Sequence, residues 1–275
     1  MKMIDDVEEV KDPNFNETIK EINSVPKQEV KVDVGDTLDF WEIKVDELPS
    51  KGRLYSEDIK IYGRRLKVKE VKKLAFMTDY DMEDIIKEVL KSAIKGINID
   101  DLYDDDKLYL IFWLRANTYR EPGYRISFFC SNCNTESTYD FQLENLSIKY
   151  IKDDNNYNIV LSNGDEIKLK NIQIKDRERI KNFKIKHTNF KIDSELLELA
   201  SMIETINDEN RDLMNRYDYI SNKIDAIDYA KIETRKDEIS FGINYLMNVT
   251  CSNCKGVSET GVTFRKEFFI PKYKD

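Results

Sequence analysis

One tetrapeptide occurs twice in the chain, as Cys130-Ser131-Asn132-Cys133 and as Cys251-Ser252-Asn253-Cys254. Within each copy, the two-residue gap lets both thiolates turn toward one point. We call each copy a knuckle, and two knuckles supply the four sulfurs of a tetrahedral zinc site. Residues 134–250 separate the copies. The pattern therefore predicts one zinc-ribbon-like site, with Cys130, Cys133, Cys251 and Cys254 as ligands of one Zn²⁺ per chain, that closes a long insertion.

Three other arrangements of the four thiols stay open at this point. Disulfide bonds are one, although cytoplasmic thiols stay reduced. Knuckles without metal and two ions, one for each pair, also fit the spacing. If four thiolates bind one ion, no coordination position is left for water or substrate, so the predicted zinc is structural rather than catalytic.

Each knuckle is predicted to be the tip of a β-hairpin. The flanking segments alternate and are rich in β-branched and aromatic residues, as is typical of strands. The predicted strands cover 124–129 and 137–143 around the first knuckle, and 245–250 and 258–264 around the second.

The composition limits the classes of function. In 275 residues, 53 acidic side chains outnumber 44 basic ones, for a formal net charge of -9. Non-specific affinity for nucleic acid comes from Lys and Arg, so this charge argues against a general DNA or RNA coat. No stretch approaches the roughly 20 apolar residues of a membrane helix, and the first residues lack the apolar core of a secretory signal. We expect a soluble protein of a reducing cytoplasm, without a membrane partner.

Outside the knuckles, helices and strands are predicted in mixed order, which makes the fold class α+β. Negative charge suits a helix N-terminus, so the acidic run at 100–106 is expected to open a helix. Gly96 is expected to cap the end of the helix before it. The predicted elements before the first knuckle are a strand at 40–45, a rigid turn at 48–55, and helices through 68–75, 85–94 and 104–115.

The segment between the knuckles is predicted to be a hairpin followed by helices. Asn163 and Gly164 form a strong turn signal between strands at 158–161 and 166–170. Helices are predicted for 176–186, 194–206 and 210–243. The predicted organisation is a small strand-and-helix platform with the knuckles (37–150 plus 245–275), a hairpin and mainly helical insertion (151–244), and an acidic, partly disordered arm (1–36).

Other motifs have structural explanations. Lys51-Gly52 and Gly63-Arg64-Arg65 lack the glycine spacing of a P-loop. The acidic run lacks the central Gly and terminal Glu of an EF-hand loop. The single histidine, His187, is expected to cap a helix C-terminus or to lie on the surface.

Four segments, taken in order, resemble a known family. They are Leu48-Pro49-Ser50-Lys51-Gly52-Arg53-Leu54-Tyr55, then Leu108-Tyr109-Leu110-Ile111-Phe112-Trp113-Leu114-Arg115 after its acidic start, Gly123-Tyr124 before Cys130, and Asp237-Glu238-Ile239-Ser240-Phe241-Gly242 before Cys251. In this order they resemble the baseplate hub proteins of T-even-like contractile-tailed bacteriophages. The resemblance covers roughly residues 40–265 and leaves out the acidic arm.

The resemblance implies a non-enzymatic structural or assembly protein of a phage tail baseplate hub. It implies contacts with other hub and tail proteins, in the host cytoplasm during assembly or in the tail baseplate of the virion, and self-association is a further option. Only the four cysteines carry over as site residues. The 15 Tyr and 13 Phe suit such a role, because aromatic side chains are favoured at protein interfaces.

A zinc-ribbon module that binds nucleic acid, as in transcription machinery, is the main alternative. It would need basic or aromatic residues crowded on the ribbon. Acidic residues instead offset the basic ones near the knuckles: Glu136, Asp140, Glu144 and Glu259 against Lys255, Arg265 and Lys266. A hydrolase or transferase that uses Glu204 and Asp208 is disfavoured further, because neither carboxylate belongs to a motif.

Overall fold

Small antiparallel sheets and short helices alternate along the chain, which confirms the α+β class. The computed structural model describes residues 40–119, 123–142, 146–262, 264 and 266–271, so the predicted arm at 1–36 lies outside it. Among the described residues, no helix combines the length and the apolar character needed to span a membrane.

The elements are numbered in chain order. The strands are β1 (Trp41–Ile43), β2 (Ile61–Gly63), β3 (Ile94–Lys95), β4 (Tyr124–Phe129), β5 (Glu136–Phe141), β6 (Ser147–Lys149), β7 (Asn158–Val160), β8 (Glu166–Leu169), β9 (Ile203–Ile206), β10 (Gly242–Asn244), β11 (Leu246–Thr250) and β12 (Val257–Gly261). The helices are α1 (Val68–Ala75), α2 (Met82–Ala93), α3 (Asp104–Thr118), α4 (Ile174–Lys186), α5 (Ser194–Met202), α6 (Leu213–Lys223), α7 (Ala226–Ile239) and α8 (Lys266–Phe269). The sheets are β1-β2-β3, β7-β8-β9 and the pairs β4-β5, β6-β10 and β11-β12.

Most predicted elements are confirmed within two or three residues. The four strands beside the knuckles form two hairpins, β4-β5 and β11-β12. The Asn-Gly signal is the turn between β7 and β8, where Gly164 has a φ of +87° and its N–H donates to the carbonyl oxygen of Leu161. The acidic run opens α3, as its charge predicts.

Gly96 does not cap a helix, so that prediction is wrong. Helix α2 ends at Ala93, and Ile94 leaves it in an extended conformation to pair as β3 with β2. Gly96 follows this strand with a φ of +90°, and a Cβ there would lie 1.8 Å from the carbonyl oxygen of Lys60. Glycine is needed because two backbones approach closely, a tertiary constraint.

Two of the helices predicted between the knuckles are too long. Helix α5 ends at Met202, and the next four residues form β9, which pairs with β8. The helix predicted at 210–243 is two helices, because Asp225 begins α7 by accepting a hydrogen bond from the N–H of Asp228 (2.8 Å). The last residues of the predicted helix belong to strand β10. Short apolar runs fit both helix and strand, and the available strand partner decides between them.

The two ends of the long segment between the hairpins run side by side. Strand β6 pairs with β10 in the register Lys149 with Gly242 and Ser147 with Asn244. Buried apolar side chains form two clusters. The residues of the first cluster come from the ranges 43–146 and 249–269 and include Ile174, and those of the second come from the range 159–239. The division into a platform of 37–150 plus 245–275 and an insertion of 151–244 stays a prediction.

The start of α3 is bonded to the turn at 48–55. Asp106 is fully buried, and its carboxylate accepts hydrogen bonds from the Ser50 N–H (3.0 Å) and the Tyr55 hydroxyl (2.7 Å). The Tyr55 oxygen in turn accepts from the Tyr103 N–H (3.2 Å). Two of the segments that carry the family resemblance are therefore held together by one buried carboxylate.

Tyr55→Phe should destabilise the protein. The change removes the hydroxyl that donates to Asp106 and accepts from Tyr103, and an unsatisfied buried polar group costs about 1–3 kcal/mol. Urea denaturation should show a fall in the free energy of unfolding in that range. Tyr80→Phe is the control, because the Tyr80 side chain is 92% exposed. Equal effects of the two changes would contradict the role given to Tyr55.

Candidate metal centre

The four cysteine sulfurs converge on one point. All four Sγ atoms lie within 4.8 Å of one another. Across the hairpins, Cys130 Sγ lies 3.6 Å from Cys254 Sγ, and Cys133 Sγ lies 3.8 Å from Cys251 Sγ. The edge of a sulfur tetrahedron around an ion with bonds of 2.3 Å is about 3.8 Å, whereas a disulfide needs about 2.0 Å. The cysteines are free thiols at a spacing that could hold one metal ion.

The two knuckles are the same turn built twice. In each, the N–H of the first cysteine donates to the carbonyl oxygen five residues later, at 3.1 Å for Cys130 and 2.9 Å for Cys251. The carbonyl oxygen of the same cysteine accepts from the N–H four residues later, at 2.9 Å and 3.1 Å. The residue after each second cysteine, Asn134 or Lys255, has a left-handed φ of 52° or 62°. Each hairpin thereby aims two sulfurs in one direction.

The asparagine of each tetrapeptide reaches across to the opposite knuckle. Asn132 Nδ2 donates to Cys254 Sγ (3.6 Å), and Asn253 Nδ2 donates to Cys133 Sγ (3.8 Å). The backbone N–H of Gly256 adds a bond to Cys254 Sγ (3.4 Å). Donors to sulfur stabilise a thiolate and orient it, which is the task of the outer shell of a metal site.

Two buried serines add to the groups around the sulfurs, and sequence reasoning missed them. Ser258 Oγ donates to Cys130 Sγ (3.6 Å), and Ser137 Oγ lies 3.3 Å from Cys251 Sγ. A sequence signal for them exists. The first copy continues as Cys-Ser-Asn-Cys-Asn-Thr-Glu-Ser and the second as Cys-Ser-Asn-Cys-Lys-Gly-Val-Ser, so both keep a serine at the same offset. Aligning the chain with itself would have found this shared position.

The surroundings favour thiolates at two cysteines and oppose one at a third. Hydrogen bonds from Thr135 lower the pKa of the Cys133 thiol to about 6, and a hydrogen bond from Ser137 lowers the pKa of Cys251. Although the Gly256 N–H favours the Cys254 thiolate, the neighbouring Cys133 sulfur raises the pKa of Cys254. Thiolate is the form that binds metal. A cation among the sulfurs would offset their mutual repulsion.

Four thiolates that shared one ion would join the two hairpins. With four sulfurs on one ion, no coordination position is free for water or substrate. Cys130 and Cys251 are buried, whereas Cys133 and Cys254 are half-buried. An ion held by all four sulfurs would therefore act as a structural centre.

The other residues with potential chemistry lie elsewhere in the fold. His187 caps the C-terminal end of α4, as predicted, and its ring centroid lies 4.4 Å from that of Phe183, with the two rings tilted. Glu204 on β9 forms an ion pair with Lys168 on β8 (2.8 Å). Asp208 is exposed in the turn after β9. The structure does not bring these side chains to the sulfur cluster.

Comparison with protein families agrees with the order of motifs in the chain. The model of the family described as T4 bacteriophage base plate protein matches residues 41–270. The chain belongs to this family. The match runs from the first residue of β1 to just beyond α8, so it contains both hairpins and all four cysteines. Comparisons with curated proteins and with solved structures found no match.

In this base plate protein, removing the two buried serines should weaken metal binding. Ser137→Ala with Ser258→Ala deletes one donor to each hairpin's first sulfur, and loss of outer-shell partners costs about 10–100-fold in metal affinity. Chelator competition for Zn²⁺ measures the change. Ser127→Ala, at an exposed position on β4, is the control. Unchanged affinity in the double variant would show that the serine hydroxyls do not support the sulfurs.

Proposed function

We propose that this base plate protein is a structural or assembly component of the tail baseplate hub, without enzymatic activity. The family match over nearly all described residues carries the proposal. The closed sulfur cluster supports it, because such a centre stabilises a shape rather than a reaction. The order of the four segments that resemble hub proteins supports the hub in particular.

We propose Zn²⁺ as the ion that the four cysteines hold, one per chain. A tetrahedral set of four thiolates suits zinc or iron–sulfur chemistry, and sulfur edges of 3.6 Å and 3.8 Å fit a single ion at the zinc–sulfur bond length. Its task is to join Cys130 and Cys133 to Cys251 and Cys254 across the intervening segment. The two separate apolar clusters support a division into a platform, whose two parts the zinc would join, and an insertion attached to that platform.

Other hub and tail proteins are the proposed partners, in the host cytoplasm during assembly and in the virion tail baseplate. The hairpins present large apolar side chains to solvent, with Phe129 69% exposed and Val257 63% exposed. Exposed aromatic and aliphatic side chains beside polar ones are typical of protein contact surfaces. These two side chains flank the knuckles, so we place a partner contact there.

The nucleic-acid alternative has little support at the hairpins. Their described residues carry two basic side chains, Arg125 and Lys255, against three acidic ones, Glu136, Asp140 and Glu259. Arg125 is also engaged by Asp140 in a pair of hydrogen bonds of 2.5 Å. Binding to phosphates would need an excess of free cations.

Elemental analysis of the purified protein should find one zinc per chain. Cys130→Ser should lower both the zinc content and the free energy of unfolding, the latter by at least about 3 kcal/mol, because metal-binding energy is folding energy in structural sites. Thr250→Ser, an exposed change on β11, is the control. A zinc content near zero or two would contradict the single shared site.

Co-expression with the other hub proteins of the same phage should yield a complex that survives size-exclusion chromatography. Phe129→Ser should weaken that complex while leaving the zinc content and the unfolding midpoint close to those of the unchanged protein. Phe76→Ser, at an exposed position beyond the end of α1, is the matched control. A monomer that binds no tail protein, or a retarded band in a low-salt DNA shift assay, would count against the hub proposal.

A further inference from the structure

Three arginines line one cavity between α4 and the start of α6. Its volume is about 360 Å³. Arg179 comes from α4, Arg211 from the segment before α6, and Arg216 from the first turns of α6. None of the four cysteines lines this cavity, so it is separate from the sulfur cluster.

Arg216 is held by three hydrogen bonds, none of which goes to a carboxylate. Its three hydrogen bonds all go to neutral oxygens: the carbonyls of Arg211 (2.6 Å) and Ile203, and the Asn210 amide oxygen (3.0 Å). A guanidinium has five N–H donors, so two remain. Among the described residues, no carboxylate forms an ion pair with it. Burial lowers the pKa of Arg216, and the positive charge of Arg179 lowers it further, whereas the negative charges of Asp176, Asp212 and Glu204 raise it.

The two carboxylates on the cavity wall already have partners. Asp176 is buried and accepts hydrogen bonds from Lys170 Nζ (2.5 Å) and Arg179 Nη1 (3.2 Å). Asp212 caps α6 and accepts from both nitrogens of Asn215, at 2.8 Å and 2.7 Å. On the cavity wall three arginines face two acidic residues, of which Asp212 is engaged by Asn215 and Asp176 is shared between Lys170 and Arg179. Arg216 is the cavity arginine that forms no ion pair with a carboxylate of the described residues.

We propose that this cavity binds an oxyanion, a carboxylate or a phosphate group, between Arg179, Arg211 and Arg216. Guanidinium groups bind both oxyanions through paired N–H donors, and a fixed guanidinium loses little freedom on binding. Arg216 is fixed by its backbone contacts. Arg211 is placed by its ion pair with Glu209 (3.2 Å) and by the ring of Tyr219, 5.7 Å from its guanidinium carbon. The site rests on these contacts and not on the zinc proposal.

Isothermal titration at constant ionic strength tests the site with two probes. Inorganic phosphate stands for a phosphate ligand, and glutarate stands for the acidic side chain of a neighbouring protein. We expect saturable binding of at least one probe. The tighter probe identifies the source of the oxyanion. Absence of saturable binding of both probes overturns the proposal.

Variants locate the binding. Arg179→Gln with Arg211→Gln should weaken the tighter probe by about five-fold or more, since each guanidinium contributes a charge-assisted pair. Arg235→Gln with Lys223→Gln removes two charges outside the cavity and should leave binding unchanged. Equal loss in both double variants would indicate non-specific attraction and overturn the site. Arg179→Gln alone is the second variant if the first does not fold, because the Arg179 side chain is 66% exposed. It should weaken binding by about two-fold.

Discussion

The convergence of four sulfurs is the constraint on which the rest of the structure depends. A two-stranded hairpin is marginally stable in water, and this protein has two of them, β4-β5 and β11-β12, far apart in sequence. Hydrogen bonds from each knuckle to sulfurs of the other make them one unit. The chain between β5 and β11 must therefore leave the unit and return to it. The pairing of β6 with β10 is where the outgoing and returning chains meet.

Aromatic packing connects the first hairpin to α8 and α3. The Tyr124 ring on β4 lies 5.3 Å from the ring of Phe141 on β5 and 5.0 Å from that of Phe268 in α8. Phe268 also contacts Phe112 of α3 at 5.4 Å, and its carbonyl oxygen accepts a hydrogen bond from Arg115 Nε (2.5 Å). Residues that follow the second hairpin are thus buried between the first hairpin and α3. The sulfur cluster and this aromatic group hold the C-terminal part of the described chain against α3, β4 and β5.

Local patterns predicted most elements because their signals depend on near neighbours. Acidic residues at the start of α3, the Asn-Gly turn before β8 and the alternation around the knuckles each act within a few residues. Three of the failures share one cause. Residues 203–206 become β9 because β8 offers a partner, residues 242–244 become β10 because β6 does, and Gly96 serves a backbone contact with Lys60. No local propensity encodes a partner that is distant in sequence.

Spacing and the order of motifs were enough to predict the four cysteines, the hairpins that carry them, the α+β class and the family. The tertiary structure alone decided which groups surround those sulfurs and which charges stay unpaired. In the sequence, Ser137 and Ser258 are ordinary polar residues, and only the packing of the two hairpins brings their hydroxyls to the sulfurs. In the sequence, Arg216 is one of many basic side chains, and only the folded turn before α6 supplies the carbonyl oxygen of Arg211 and the amide oxygen of Asn210 that hold it. Contacts of this kind arise only when distant segments pack, and their energies depend on burial that composition does not reveal.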